Sequence, residues 1–267
     1  MDRIANYLEE KLQPVMNALG NNRYLTAIQS GFFGAMPVMV IGSIFLLLSN
    51  LPVPGYTDLM ASIFGENWAE FFTVPFQMSM NILTLFIFFG IVRSLANYYK
   101  VDSLGATVIS LVAFLILNPT VASEEGALGI SMEHLGSGGL FLGIITAIFS
   151  VEIYRWVVQK GWTIKMPASV PGAVSRSFTS LIPGVFVIII FNLVRLLFTF
   201  TSYGTAYDFI YGILQAPLTG IGGTLTGVLI IIFLESFLWA FGIHGSSVVS
   251  AGLGAVMLSL TAENAEA

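Results

Sequence analysis

The sequence contains no cysteine. That excludes disulfides, thiolate metal sites and a cysteine nucleophile, and leaves the redox compartment open. Charge is scarce as well. Only 9% of residues are Asp, Glu, Lys or Arg, where a soluble domain carries roughly 25%. No run of basic residues is present to neutralise phosphates, so a nucleic-acid partner is excluded. Histidine occurs twice, at His134 and His244, and no His/Asp/Glu spacing suits a metal; no cofactor is expected.

What the chain has instead is apolar surface. Hydrophobic residues make up 56% and the mean hydropathy is +0.87. A soluble fold needs more polar surface than this chain owns, so the bilayer is its solvent. Spans of about 20 apolar residues are expected of membrane helices. Six are legible: Phe32–Leu51, Val74–Val92, Leu104–Val121, Leu140–Val158, Leu181–Phe200 and Ile221–Phe241. The predicted fold class is therefore all-α, a polytopic transmembrane helix bundle with about six spans. Pro37, Gly42 and Pro183 inside these runs are tolerable where neighbouring helices satisfy the freed backbone groups.

Met1–Gln29 lacks the apolar core of a signal peptide. Ile4, Leu8, Leu12, Val15 and Leu19 share one helical face, and Gly20-Asn21-Asn22 breaks the pattern. It reads as an N-terminal amphipathic helix, packed on the protein's own cytoplasmic end or on the membrane surface. Thr201–Gly220, with Tyr203, Tyr207, Phe209 and Tyr211, suits an interfacial segment. After the sixth span, Val248–Leu260 is too short to cross comfortably and reads as part of a re-entrant segment. The expectation is a chain that is the N-terminal part of something longer.

Charge placement orients the bundle. Arg3, Lys11 and Arg23 precede the first span, Arg93 and Lys100 follow the second, and Arg155, Lys160, Lys165 and Arg176 cluster after the fourth. The alternate loops carry Asp58, Glu66, Glu70, Glu124, Glu125, Glu133 and Asp208 without Lys or Arg. By the positive-inside rule the N-terminus is cytoplasmic. The remaining cation, Arg195, lies in the outer part of the fifth span. It either snorkels to the outer interface or marks a functional site.

Two residues inside apolar surroundings stand out as candidates for chemistry. His244 sits between glycines in Phe241-Gly242-Ile243-His244-Gly245, just after Trp239. Glycines let backbone bend and approach a ligand, and an imidazole offers one hydrogen bond to a hydroxyl. The bland alternative is a histidine at a helix end in the interface. Glu235, within Phe233-Leu234-Glu235-Ser236-Phe237, is costly if ionised in lipid; it is protonated, paired, or faces a wet cavity. His134 reads as a plain loop residue. Gly136-Ser137-Gly138-Gly139 lacks the lysine and preceding strand of a phosphate loop and reads as a flexible link to the fourth span.

Three separated motifs resemble one family. Asn22-Arg23-Tyr24-Leu25-Thr26-Ala27-Ile28-Gln29-Ser30-Gly31, followed by Met36-Pro37, Ile41-Gly42-Ser43 and Asn50-Leu51-Pro52, is similar to the opening of the lactose/cellobiose-type IIC permeases of the bacterial phosphotransferase system. The loop Met166-Pro167-Ala168-Ser169-Val170-Pro171-Gly172-Ala173-Val174-Ser175-Arg176-Ser177-Phe178 resembles a signature loop of that family, departing at Gly172, where a proline is common. Trp239-Ala240-Phe241-Gly242-Ile243-His244-Gly245 resembles its sugar-site motif. The resemblance implies a multi-pass protein of the bacterial inner membrane that is a homodimer in lipid. Residues 1–220 would form the dimerising scaffold and 221–267 the truncated start of the substrate-transport domain. It implies a disaccharide substrate (cellobiose, chitobiose or related) contacted by His244, Gly242, Gly245, Trp239 and Glu235. It also implies phosphate supplied by a cysteine of a separate IIB phosphocarrier, a role this cysteine-free chain cannot take. The alternative is a transport-inactive dimeric scaffold; an unrelated transporter built from inverted repeats is disfavoured because no repeat is evident.

The charge pattern is directly testable. Single cysteines replacing Lys100 or Lys165 should react only with membrane-permeant thiol reagents in intact cells, and a cysteine replacing Glu66 with impermeant ones. External labelling at position 165 would refute the topology.

Overall fold

The computed structural model describes residues 21–122, 126–167, 169–240 and 245–266. The N-terminal amphipathic segment, Glu124 and Glu125 lie outside the described residues. Helix α1 (Arg23–Ser49) starts where Asn22 caps it, its side chain accepting from the Tyr24 and Leu25 amides at 2.9 and 3.3 Å. It passes through Pro37 unbroken. A short α2 (Tyr56–Phe64) then leads to α3 (Glu70–Met80) and α4 (Leu83–Tyr98). Helix α5 (Ser103–Leu117) is capped by Asp102, which accepts from the Gly105 amide at 2.8 Å. A two-stranded hairpin, β1 (Thr120–Ala122) with β2 (Leu128–Ile130), and a single turn, α6 (Met132–Leu135), follow. Next come α7 (Leu140–Gln159), α8 (Gly172–Thr179) and α9 (Leu181–Thr199). The last part comprises α10 (Ala206–Ile210), a π turn at Tyr211–Gln215, α11 (Ala216–Gly222), α12 (Leu225–Ala240) and α13 (Gly245–Glu266).

Helices α1, α4, α5, α7 and α9 form the bundle. Helix α4 is central, touching α1, α5 and α7. Its Ile87, Phe88, Ile91, Val92 and Leu95 are at most 1% exposed, packed with Phe114, Leu140, Val151, Tyr154 and Val187. The outward faces are equally apolar: Ile41, Leu47, Leu181, Leu197 and Phe200 are all exposed. With oil on both sides, burial of apolar area does not distinguish inside from outside. Packing and interior hydrogen bonds hold the helices together. Ser110 meets Ser150 at 2.7 Å, Thr84 donates to the Gly136 carbonyl at 2.6 Å, and Tyr154 meets Ser180 at 2.7 Å.

Among the described residues, four helical stretches are long and apolar enough to cross a membrane: Arg23–Ser49, Glu70–Tyr98, Ser137–Gln159 and Gly172–Thr199. They match the first, second, fourth and fifth expected spans; each starts earlier than expected, and the first and fifth end slightly sooner, at Ser49 and Thr199. The third span is shorter than expected. Leu104–Val121 reads as continuous, but the helix stops at Leu117 because Pro119 holds Asn118 extended (φ −80°, ψ 131°). Thr120 and Val121 enter the hairpin. The sixth is not a straight run from Ile221: Ala206–Gly222 and Leu225–Phe237 meet at 87° across a break at residues 223–224. The Thr201–Gly220 segment is thus largely helical and lies across the direction of α12. The run at Val248–Leu260 belongs to a longer helix, Gly245–Glu266, packed on α1, α11 and α12. Arg155 lies inside the last turns of α7, where the sequence pattern placed it after the span.

The α1–α4 crossing depends on two glycines. A Cβ on Gly90 would stand 2.6 Å from the Gly31 Cα, and a Cβ on Gly31 would stand 2.6 Å from the Ile87 carbonyl oxygen. Backbone cannot swing aside as a side chain can, so any added methyl forces the helices apart. Gly90→Ala should destabilise the bundle by about 1–3 kcal/mol. Gly34→Ala, whose methyl meets nothing within 4 Å, should stay within about 0.5 kcal/mol. Denaturation in mixed detergent micelles measures both.

Candidate functional site

Of the residues picked out for ligand binding, Glu235 and Trp239 lie on α12 and Gly245 on α13. Glu235 is half-buried on α12, one turn of helix before Trp239; its neighbours Phe233 and Phe237 stack at 5.9 Å. Trp239 lies in the last turn of α12, and its side chain is outside the described residues. Gly245 opens α13. Gly242 and His244 lie between the two helices, outside the described residues. Because α12 and α13 pack against each other, residues 241–244 join two adjacent helix ends. In any helix the last carbonyls and the first amides have no partner within that helix. Such a junction can serve a ligand rich in hydroxyl groups, each of which both donates and accepts.

Helix α13 is seated against the rest of the fold. A Cβ on Gly222 would meet Val256 at 2.8 Å and one on Gly254 would meet the Phe32 ring at 3.4 Å, so these glycines admit close contact with α11 and α1. The buried Gln215 amide donates to the Ser137 carbonyl at 3.3 Å and to the Ser259 hydroxyl at 3.4 Å. It thereby ties the π turn, the segment preceding α7 and α13 together. His134 stands close by and is more than a plain loop residue: its ring lies 3.9 Å from that of the buried Tyr207. The glycine-rich link 136–139 is packed rather than loose. A Cβ on Gly138 would meet the Glu133 carbonyl oxygen at 2.9 Å and the Tyr207 hydroxyl at 3.0 Å.

At the opposite end of the bundle, sequence reading missed Glu152. Its carboxylate accepts from Tyr24 at 3.0 Å and from Tyr99, and pairs with Arg155 at 2.6 Å. One carboxylate thus joins α1, the end of α4 and α7. Arg23 covers the tyrosines, its guanidinium 4.9 Å from the Tyr24 ring and 5.5 Å from the Tyr99 ring; the Arg155 guanidinium lies 4.6 Å from the Tyr99 ring. Burial, reinforced by the hydrogen bond to Glu152, pushes the Tyr99 phenol well above its usual range, so it stays a donor. A signal for this cluster existed: an acid inside the fourth apolar run, with arginine three residues on. Close by, Asp102 faces Arg176 at 4.0 Å, and Tyr154 bonds Ser180. The basic residues Arg23, Arg155 and Arg176 therefore share one end of the bundle.

Apolar spans, polar groups tied inside, and a helix junction flanked by glycines define a polytopic α-helical integral membrane protein. The family model for the phosphotransferase system, EIIC, matches residues 29–267, and the chain belongs to that family. Similar proteins include the cellobiose-specific EIIC component of Geobacillus stearothermophilus, 39% identical over 99% of this chain and 60% of that relative. The lactose-specific EIICB component of Lactococcus lactis is 30% identical over 93% of this chain and 44% of that relative. The solved structure of the transporter ChbC, the IIC component from the N,N'-diacetylchitobiose-specific phosphotransferase system, superposes with a TM-score of 0.90. It is 42% identical and is matched over 95% of this chain and 61% of that one. The chain thus spans about three fifths of the length of its cellobiose and chitobiose relatives.

The Glu152 cluster yields a stability prediction. Glu152→Gln keeps the shape but leaves Arg155 without its counter-charge. With the two side chains 20% and 27% exposed, water screens part of the loss, and about 1–2 kcal/mol of destabilisation is expected. Tyr99→Phe should cost about 0.5–1.5 kcal/mol. The double variant should lose less than the sum, because both changes remove the same bond; mixed-micelle denaturation reads all three.

Proposed function

We propose that this chain forms the scaffold and the start of the sugar site of a IIC permease. In this reading, the permease takes up a disaccharide, cellobiose or N,N'-diacetylchitobiose or a close relative, for phosphorylation by a IIB partner. The observation that carries the reading is the 39–42% identity, over nearly all of this chain, to components named for those two sugars. The lactose relative named as an EIICB component supports the pairing with IIB. The chain would sit in the bacterial inner membrane as a homodimer with its N-terminus cytoplasmic. This orientation is supported by the gathering of basic residues at one end of the bundle.

Residues 1–220 act as scaffold and residues 221–267 begin the transport domain. The 87° break before α12 supports that boundary, since it is where the chain changes direction. His244 hydrogen-bonds a sugar hydroxyl, Gly242 and Gly245 let the backbone approach the sugar closely, and Trp239 stacks on a sugar face. Glu235, half-buried two turns from the junction, accepts from a further hydroxyl or holds a proton. The phosphoryl group comes from the partner's cysteine, and this chain orients the acceptor hydroxyl toward the cytoplasmic side.

In the protein expressed from the full reading frame that contains this chain, His244→Ala should weaken binding of labelled cellobiose or diacetylchitobiose by about 1–3 kcal/mol, roughly 5- to 150-fold. Equilibrium binding to purified protein measures it. Unchanged affinity for both sugars would remove His244 from the site.

A further inference from the structure

Arg195 is the cation that stands in the outer part of a span, apart from the basic end of the bundle. Its place follows from the packing of α5 on α9. These helices run side by side, with Gly105 against Ser180 and Gly184 against Ile109. The same register carried along the pair sets Leu117, the last residue of α5, level with Asn192. Helix α9 continues to Thr199, so its last two turns project past the end of α5. The 15 residues of α5 rise only about 22 Å, against a hydrocarbon thickness of about 30 Å. The end of α5 therefore leaves a notch at the depth of the membrane interface.

That notch is a cavity of 390 Å³. Leu115 and Pro119 line it together with Asn118, Thr120, Arg195 and Thr199; the Thr199 hydroxyl donates to the Leu196 carbonyl at 2.7 Å and the Asn118 amide nitrogen to the Phe114 carbonyl at 2.8 Å. Asn118 is 4% exposed, and its side-chain oxygen has no hydrogen-bond partner among the described residues. Arg195 lines the cavity, is exposed, and among the described residues bonds one side chain, through Nε to Asn192 at 3.5 Å. Thr205 also lines the cavity, but its hydroxyl is engaged with Asp208 at 2.6 Å. Below the notch, Val185 and Ile189 on α9 and Val108 and Val112 on α5 are exposed, forming an apolar seam. A guanidinium above an apolar seam, at interface depth, complements a phosphate joined to acyl chains. At the other end of the seam Arg176 differs: Asp102 stands 4.0 Å away and offsets its charge.

We propose that the notch between α5 and α9 holds one glycerophospholipid of the outer leaflet, its phosphate on Arg195 and an acyl chain along the α5–α9 seam. The leaflet rests on the proposed topology; the site itself does not. The short α5 draws the headgroup inward, and the bound lipid fills the length that α5 lacks.

Native mass spectrometry of the purified chain, exchanged into detergent with phosphatidylglycerol or with diacylglycerol of the same chains, tests this. Unaltered protein should retain one phosphatidylglycerol, at a level about tenfold above Arg195→Gln. Arg195→Lys should keep most of that retention, Arg176→Gln should match unaltered protein, and diacylglycerol should be lost. Equal retention by Arg195→Gln would overturn the proposal, as would equal retention of diacylglycerol. Displacement of the lipid by millimolar inorganic phosphate would reassign the notch to a free anion. Disulfide-linked dimers formed through Thr199→Cys, in a chain with no other cysteine, would show that a second copy covers this face. Size-exclusion profiles of the variants separate lost lipid from lost fold. Failure of sugar binding in the His244 variant has no bearing on this outcome.

Discussion

Hydrocarbon cannot hydrogen-bond, and that constraint shapes every polar contact in this protein. A buried polar side chain is stabilised where it finds a partner inside the bundle, and several partners are on other helices. Ser110 with Ser150 links α5 to α7, Tyr154 with Ser180 links α7 to the start of α9, and Glu152 links α1, α4 and α7. In water such bonds would be nearly neutral exchanges with solvent. In lipid they and the tight glycine crossing of α1 on α4 select one arrangement among many equally oily ones.

The two ends of the bundle are built differently. At the basic end, aromatic rings, guanidinium groups and one carboxylate interleave, so charge is spread over many contacts. At the other end, backbone carbonyls and uncharged side chains meet: Thr84 with Gly136, Gln215 with Ser137, His134 against Tyr207. That second arrangement binds the scaffold to the π turn and to α13 through weak, replaceable bonds. Among the described residues, α12, beyond the 87° break, contributes none to the main core. The fold thus joins a cross-linked set of helices to α12 and α13, of which α13 packs its Ala255 and Leu258 into the core.

Much of this was legible in the residues. Lipid-exposed spans announce themselves by composition, because a charge in hydrocarbon is costly at any depth. That is why four spans emerged close to their observed places, and why the segregation of lysine and arginine was readable without coordinates. The motifs around Asn22, Met166 and Trp239 pointed to the family that the comparisons identify. The candidate site was legible as a motif and only in part as a place: Glu235, Trp239 and Gly245 come to one helix junction, while His244 and Gly242 lie outside the described residues.

The sequence by itself determined the solvent, the helical class and the approximate spans, since these depend on local hydropathy summed over a window. Only tertiary structure decided where helices stop and which polar groups meet. Asn118-Pro119 ends α5 early because an extended backbone there opens the hairpin. The α11–α12 corner turns at Gly223, where α13 packs into the angle. Glu152 finds Tyr24, 128 residues away, through a crossing that two glycines permit. Hydropathy is a property of a segment; partnership is a property of surfaces brought together, and no window along the chain contains both sides.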